Sequence, residues 1–238
     1  MGIGKTIKGY LDICRISNLP SVWTNVLCAV ILAGGKFSWA GLLPPALALS
    51  CFYLAGMCLN DICDAAYDAA HRPSRPIPSG RVSYRGACAL TLTLFAIGML
   101  ALLETPFRQG WYASMLLVAF IVWYDLDHKQ NPYSVLVMAV CRFMVFAVAS
   151  LAVTGRMAGV VILAGGIQFA YVVSISIVAR YESRRPTPFS IPVIPLMLAG
   201  ISLLDGFILA ALGHPLWLLA GMGGALLMLA GQKIVRGD

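Results

Sequence analysis

Charged residues are scarce in this sequence. Asp, Glu, Lys and Arg make up 11% of its 238 residues, whereas a soluble domain carries about 25%. Only 10 of the charged residues are acidic. Hydrophobic residues make up 60% of the chain, and the mean hydropathy is +0.84. The shortage of charge runs along the whole chain, with no linker or low-complexity segment. It excludes an ordinary soluble domain and predicts one integral-membrane domain over residues 1–238.

Several common signatures of chemistry are also missing. The seven cysteines form no C-x-x-C pair, and no His and Cys constellation has the spacing of a zinc site. Neither a G-x-S-x-G nor a Walker pattern occurs. The cysteines are therefore interpreted as small apolar packing residues. The first residues, with Lys5, Lys8, Asp12 and Arg15, form a polar, amphipathic beginning that does not match a cleaved signal peptide.

Long apolar runs dominate what is present. A helix needs roughly 20 apolar residues to cross the hydrocarbon core of a bilayer. The sequence therefore predicts an all-α bundle of about eight transmembrane helices. The predicted spans are residues 16–34, 40–60, 84–104, 109–125, 133–153, 158–179, 191–212 and 215–232.

The basic residues indicate an orientation. With the N-terminus in the cytoplasm, 13 of the 17 Lys and Arg residues fall on the cytoplasmic side, three fall outside, and Arg142 lies within the fifth span. This asymmetry is typical of membrane proteins. It predicts cytoplasmic termini and a cytoplasmic site in a cell membrane, which we expect to be a bacterial inner membrane. Anionic lipid facing these loops accounts for the net charge of +7, so no nucleic-acid partner is expected.

A cluster of acids follows the second predicted span. In a helix, Asp61, Asp64 and Asp68 share one face, and Asn60 lies at its edge. Three like charges beside a low-dielectric slab are unfavourable unless cations compensate them. Mg²⁺ prefers such oxygen ligands and commonly links carboxylates to phosphates. The cluster predicts a metal–phosphate site at the cytoplasmic edge, and the alternative is a solvated helix end.

A stiff basic loop comes next, with the sequence HRPSRPIPSGRVSYR. Its prolines prevent the helix from continuing, and its glycine permits a turn. Arginine suits contact with phosphate oxygens, so the loop predicts a cradle for a diphosphate. Anchoring at the cytoplasmic face explains some of its arginines equally well. The candidates for substrate binding are Arg72, Arg75 and Arg81.

The two stretches together resemble the first signature of the UbiA superfamily of intramembrane prenyltransferases, and most resemble its EboC branch. That signature reads N-D-x-x-D-x-x-x-D followed by R-P-x-P-S/T-G. The matching positions are Asn60, Asp61, Asp64, Asp68, Arg75, Pro76, Pro78, Ser79 and Gly80. The lead-in CRISNLPSVWTN is also similar to the family's first helix.

The resemblance implies a bundle, commonly of nine spans, around a cavity that opens to lipid. It further implies that Asn60 and the three aspartates hold Mg²⁺ on a prenyl diphosphate, whose prenyl group passes to an acceptor. The acceptor itself stays unidentified. The signature of another class, the CDP-alcohol phosphotransferases, is not found.

The family's second acidic motif is degenerate here. The corresponding stretch, residues 171–188, has one acid, Glu182, among several arginines. Glu182 could serve alone as a ligand of a second Mg²⁺ and as a catalytic residue. Asp125 and Asp127, with Lys129 as a phosphate-binding residue, could contribute instead, unless they belong to a solvated loop. The protein could also be a catalytically weak prenyl-phosphate or lipid binder, or a transport component.

Polar residues within the spans complete the predicted site. Arg142 is expected to face the cavity, with snorkelling to the interface as the alternative. Asp205 lies in the outer half of its span and is given no role. The remaining candidates for substrate binding are Asn25, Tyr171 and Arg180.

Overall fold

The structure, a computed structural model, describes residues 3–34, 38–127, 133–185 and 189–235. Within these ranges the chain forms α-helices joined by short turns, and no strand. The helices are α1 Ile3–Ile13, α2 Leu19–Leu32, α3 Trp39–His71, α4 Tyr84–Ala101, α5 Arg108–Asp127, α6 Ser134–Thr154, α7 Gly159–Ser183, α8 Val193–Ala211 and α9 Leu218–Gln232.

The predicted all-α membrane bundle is confirmed. Helices α2 to α9 follow the eight predicted spans in order. Six of the described helices are long and apolar enough to cross a membrane, namely α3, α4 with the turn after it, α6, α7, α8, and α9 with the turn before it. The apolar stretch that contains α2 is shorter, and α5 is not among the six. The count of eight crossings therefore stays a prediction.

Helix α3 carries the acidic motif beyond the apolar layer. It contains 33 residues, which is about 50 Å of helix against about 30 Å of hydrocarbon core. The Ser38 side chain caps its beginning by accepting a hydrogen bond from the Gly41 N–H at 3.1 Å. The helix ends at His71, directly before Arg72 and Pro73. Residues 60–68 are therefore helical, as the shared acidic face requires.

Helix α2 lies at the centre of the bundle. It packs against α3, α6, α7, α8 and α9, and most of its side chains are buried. Small residues let neighbouring helices approach closely, as is common in membranes. At Gly221 of α9, for example, a Cβ atom would lie 2.8 Å from the Gly206 Cα of α8.

The basic loop folds back beneath the end of α3. Gly80 takes a left-handed conformation (φ 75°) that a residue with a side chain rarely adopts. Arg81 Nη1 donates to Asp12 Oδ2 at 2.6 Å, which ties the loop to α1. Ser83 then caps α4 by accepting a hydrogen bond from the Gly86 N–H. The C-terminal part of the loop is thus held by α1 and by the beginning of α4.

Candidate functional site

A cavity of about 230 Å³ lies inside the bundle. Residues of α2, α3, α5, α6, α7 and α8 line it, and most of its wall is apolar. Arg15, Asn60 and Asp125 line it where α3 and α5 approach their C-terminal ends. We call these three residues the mouth. The arrangement suits a ligand with a charged head and an apolar tail.

Asp61 brings the acidic motif and two arginines together. It is 5% exposed, and its Oδ1 lies 3.7 Å from Arg15 Nη2 and 3.7 Å from Arg75 Nη1. Arg15 comes from the turn before α2, in a left-handed conformation (φ 43°), whereas Arg75 comes from the basic loop. Two guanidinium groups therefore balance the charge of this buried carboxylate.

Asn60 links the motif to α5. Its Oδ1 accepts a hydrogen bond from Arg15 Nη2 at 3.5 Å, and its Nδ2 donates to Asp125 Oδ1 at 3.2 Å. Asp125 is 3% exposed. Of the acids in the α5–α6 region, the structure places Asp125 in the mouth and Asp127 at the last residue of α5. Lys129 lies outside the described residues.

The other two acids of the motif continue along α3. Asp64 is half-buried and Asp68 is buried. Among the residues that the structure describes, no group of three or more His, Cys, Asp and Glu side chains could hold a metal ion. Mg²⁺, however, commonly uses one or two carboxylates together with substrate phosphates. The oxygen donors of Asn60, Asp61 and Asp64 are of the type that suits a metal held jointly with a diphosphate, and the role of Asp68 as a further ligand stays a prediction.

The three arginines of the basic loop that are predicted to bind substrate have different surroundings. Arg75 contacts Asp61. Arg81 donates to Asp12, to Ser79 Oγ and to the Ser74 carbonyl oxygen, so its guanidinium already holds the loop together. Arg72 is exposed directly after α3. Arg75 is the one that the structure brings to the acidic motif.

The degenerate second motif lies at the end of α7. Glu182 Oε1 accepts a hydrogen bond from the Phe189 N–H at 3.2 Å, and Arg180 Nη2 donates to Ser134 Oγ at 3.2 Å. Neither residue lines the cavity. The predicted role of Glu182 as a metal ligand stays a prediction, and the hydrogen bond that its carboxylate accepts comes from the backbone of Phe189.

A second polar group lies deeper in the bundle. Arg142 lines the cavity, and its Nη1 donates to Asn25 Oδ1 at 2.8 Å and to Ser21 Oγ at 3.4 Å. Asn25 Nδ2 donates in turn to Asp205 Oδ2 at 2.7 Å, and Asp205 Oδ1 accepts from Gln168 Nε2 at 2.8 Å. Asp205, which has no role in the predicted site, thus anchors this chain of contacts.

Two candidates for substrate binding lie behind the cavity wall. Asn25 is fully buried, and both groups of its amide are engaged by Arg142 and Asp205. The Tyr171 hydroxyl donates to the Met197 carbonyl oxygen of α8 at 3.0 Å. Neither residue is part of the lining, so a direct contact with substrate stays a prediction for both.

Arg15 is the residue of the mouth that sequence reasoning missed. Its charge was counted toward the cytoplasmic anchoring of the chain. The available signal was its position in CRISNLPSVWTN, the lead-in that is similar to the family's first helix. The structure shows why position alone was insufficient, since the turn at Arg15 directs its side chain toward Asn60 and Asp61.

Comparison with known sequences agrees with these features. A family model for the UbiA prenyltransferase family matches residues 21–237. A digeranylgeranylglyceryl phosphate synthase of Methanopyrus kandleri is 37% identical over 93 residues, which are 39% of this chain and 34% of that protein. The protein of the same name from Natronomonas pharaonis is 28% identical over 157 residues, 66% of this chain and 57% of that protein. The matched stretches thus span between a third and somewhat more than half of these relatives.

Solved structures support the fold. A structure from work on digeranylgeranylglyceryl phosphate synthase in membranes has a TM-score of 0.65 and 15% identity, covering 97% of this chain and 96% of that one. The apo structure of a UbiA homologue from Aeropyrum pernix has a TM-score of 0.59 and 17% identity, covering 92% and 97%. At these identities the likeness concerns the arrangement of helices. The assignment to the EboC branch stays a prediction.

Proposed function

Because the chain belongs to the UbiA prenyltransferase family, we propose that it transfers a prenyl group from a prenyl diphosphate to an acceptor within the membrane, and that it requires Mg²⁺. The observation that carries this proposal is the mouth together with its neighbours Asp61 and Arg75. Contacts of 3.2–3.7 Å join these five residues, and the three of the mouth line the polar part of a mostly apolar cavity. A diphosphate head and a prenyl tail match these two environments.

Each part of the site has a task in this reaction. The bond between the allylic carbon and the diphosphate oxygen breaks, a bond to the acceptor forms, and the acceptor loses a proton. Asn60, Asp61 and Asp64 would hold Mg²⁺, which supplies charge stabilisation for the departing diphosphate. Arg15 and Arg75 supply further positive charge to the phosphate oxygens. The apolar wall keeps water from the cationic carbon.

The membrane placement follows from the same features. The chain is an integral-membrane protein. We propose that the mouth and both termini face the cytoplasm, because this orientation places most of the Lys and Arg residues on that side, as is typical of membrane proteins. The bacterial inner membrane stays a prediction, since the relatives named above come from archaea.

A second candidate function is binding or transport of prenyl phosphates without turnover. Glu182, the one acid in the second motif, is engaged with a backbone amide. If no second metal is held, a bound donor would be recognised but not activated. The two functions share the mouth and differ in diphosphate release.

The test is a binding and turnover assay on the purified chain in lipid nanodiscs. Prenyl diphosphates of several lengths are supplied with Mg²⁺ and a panel of acceptors. The names of the relatives make geranylgeranyl diphosphate and geranylgeranylglyceryl phosphate part of that panel. Asp61→Asn is compared with Glu104→Gln, an exposed acid in the turn before α5.

The outcomes separate the candidates. Mg²⁺-dependent donor binding and diphosphate release, both lost in Asp61→Asn and kept in Glu104→Gln, support the transferase. Binding without release with any acceptor favours the binder. Donor binding that does not change in Asp61→Asn contradicts the metal–diphosphate site.

A further inference from the structure

Arg142 places a cation deep in the apolar part of the cavity. It lies eight residues into α6, which is about 12 Å along the helix from its beginning. The nearby wall is built from apolar side chains such as Val145, Val172 and Ile201. A guanidinium group at such a depth is unfavourable unless it meets polar partners or has a function.

The partners of Arg142 satisfy only part of its guanidinium group. The hydrogen bonds within the described chain use Nη1, and both acceptors, Asn25 Oδ1 and Ser21 Oγ, are neutral. The carboxylate of Asp205 is 1% exposed. It is linked to Arg142 through Asn25, which donates a hydrogen bond to it. A direct Arg–Asp contact would have used the fork of the guanidinium group.

The interposed amide therefore keeps the cation available to the cavity. Asn25 holds the Nη1 edge of Arg142, and Asp205 and Gln168 hold Asn25 from behind. Each member of this chain of contacts comes from a different helix, namely α6, α2, α8 and α7. Such support is what fixes a binding group in one orientation.

We propose that Arg142 is an inner oxyanion subsite that recognises the acceptor. The acceptor would have an apolar body and one acidic or carbonyl oxygen, which the guanidinium group binds. This proposal rests on the proposed function, since the mouth, which is built from other residues of the cavity lining, is assigned to the donor diphosphate. Arg142 then determines which acceptors enter, and Asp205 is a positioning residue that acts through Asn25.

The test compares two probes that differ only in the anion, 4-butylbenzoate and 4-butylbenzyl alcohol. Their binding to the full chain in nanodiscs is measured by equilibrium dialysis, with and without Mg²⁺ and a non-hydrolysable geranylgeranyl thiolodiphosphate. The variants are Arg142→Met, Arg142→Lys and the matched control Arg156→Met, an exposed arginine after α6.

We expect Arg142→Met to bind the benzoate about tenfold or more weakly, which is the usual range for a hydrogen bond to a charged group. Binding of the alcohol should not change, Arg142→Lys should restore part of the loss, and Arg156→Met should behave as the unchanged protein. The donor analogue and the benzoate should bind together. Equal benzoate affinity in Arg142→Met overturns the proposal.

The donor diphosphate is the alternative ligand of Arg142, because its phosphate oxygens are also anionic. If the analogue displaces the benzoate and binds more weakly to Arg142→Met, the cation belongs to the donor and the acceptor assignment fails. If Arg142→Met does not fold, the test is phenylglyoxal labelling of Arg142 in the unchanged protein, measured with and without each probe. Protection by the benzoate and not by the alcohol supports the subsite, and equal labelling overturns it.

The result is independent of turnover. Arg142-dependent benzoate binding in a protein that never binds the donor analogue leaves the subsite in place and removes the proposed transferase function. Donor binding and turnover without any preference for the anionic probe removes the subsite and leaves the proposed transferase function in place.

Discussion

Arg81 Nη1 and Asp12 Oδ2 lie 2.6 Å apart and join the basic loop to α1. Both side chains are mostly buried, and Arg81 also holds Ser79 and the Ser74 carbonyl oxygen within the loop. The pair fixes the loop that carries Arg75. An arginine that sequence reasoning assigned to substrate thus holds in place an arginine that contacts Asp61.

The first prediction concerns this pair. Arg81→Met and Asp12→Asn should each lower the unfolding temperature and weaken donor binding, because the loop loses its attachment. The double variant should lose less than the sum of the two. For residues in contact, the coupling energy is about 0.5–3 kcal/mol. A double-mutant cycle of thermal unfolding and donor affinity checks this, and additive losses would contradict it.

The second prediction separates Arg15 from the other cations. Arg15→Met should weaken binding of a prenyl diphosphate by roughly 10- to 150-fold, the effect of losing a charge-assisted hydrogen bond of about 1.5–3 kcal/mol. Arg15 contacts Asn60 and Asp61, whereas Lys5 is exposed on α1. Lys5→Met is therefore the control, and calorimetry in nanodiscs is the measurement. Equal affinities of the two variants would remove Arg15 from the site.

The third prediction compares the two acids that could complete the metal site. Asp125→Asn retains an oxygen for the hydrogen bond from Asn60 but removes the charge at the mouth. We expect it to raise the Mg²⁺ concentration for half-maximal donor binding several-fold. Glu182→Gln should change that concentration less, because Glu182 is engaged with the Phe189 amide. A Mg²⁺ titration of both variants decides, and the opposite ranking would restore Glu182 as the ligand.

The fourth prediction concerns Cys14 and Cys58. Their Sγ atoms lie 3.4 Å apart and join the turn after α1 to α3, next in the chain to Arg15 and three residues from Asp61. Mild oxidation with diamide should form a disulfide, as the two thiols lose two protons and two electrons to the oxidant. Intact-mass analysis should show a product two hydrogens lighter that dithiothreitol reverses. Cys14→Ser should not form it, and an unchanged mass in the parent protein would contradict this contact.

The acidic motif shows how much of the site the sequence could predict. Helical periodicity places Asp61, Asp64 and Asp68 on one face, and the structure keeps them within α3. The prolines and Gly80 predict a tight basic loop, and this is present. Local rules suffice here because these residues are close in the chain.

Local sequence rules do not predict the contacts of the mouth. Asn60 and Asp125 are 65 residues apart, and Arg15 and Asn60 are 45 apart. Their contacts depend on how α2, α3 and α5 pack. The contacts that support Arg142 also depend on packing between distant helices. Asn25 and Asp205 come from the first and seventh predicted spans, and they meet within hydrogen-bonding distance only in the assembled bundle.

The length of α3 has a consequence for the two products of the proposed reaction. One helix of 33 residues is longer than the hydrocarbon core is thick, so its acidic end would lie in water while its apolar part lies in the bilayer. Inorganic diphosphate would then depart to water at the acidic end, while the prenylated lipid stays among hydrocarbon chains. The two products would then partition into different phases as soon as they form. Recombination would require both to return to the same cavity.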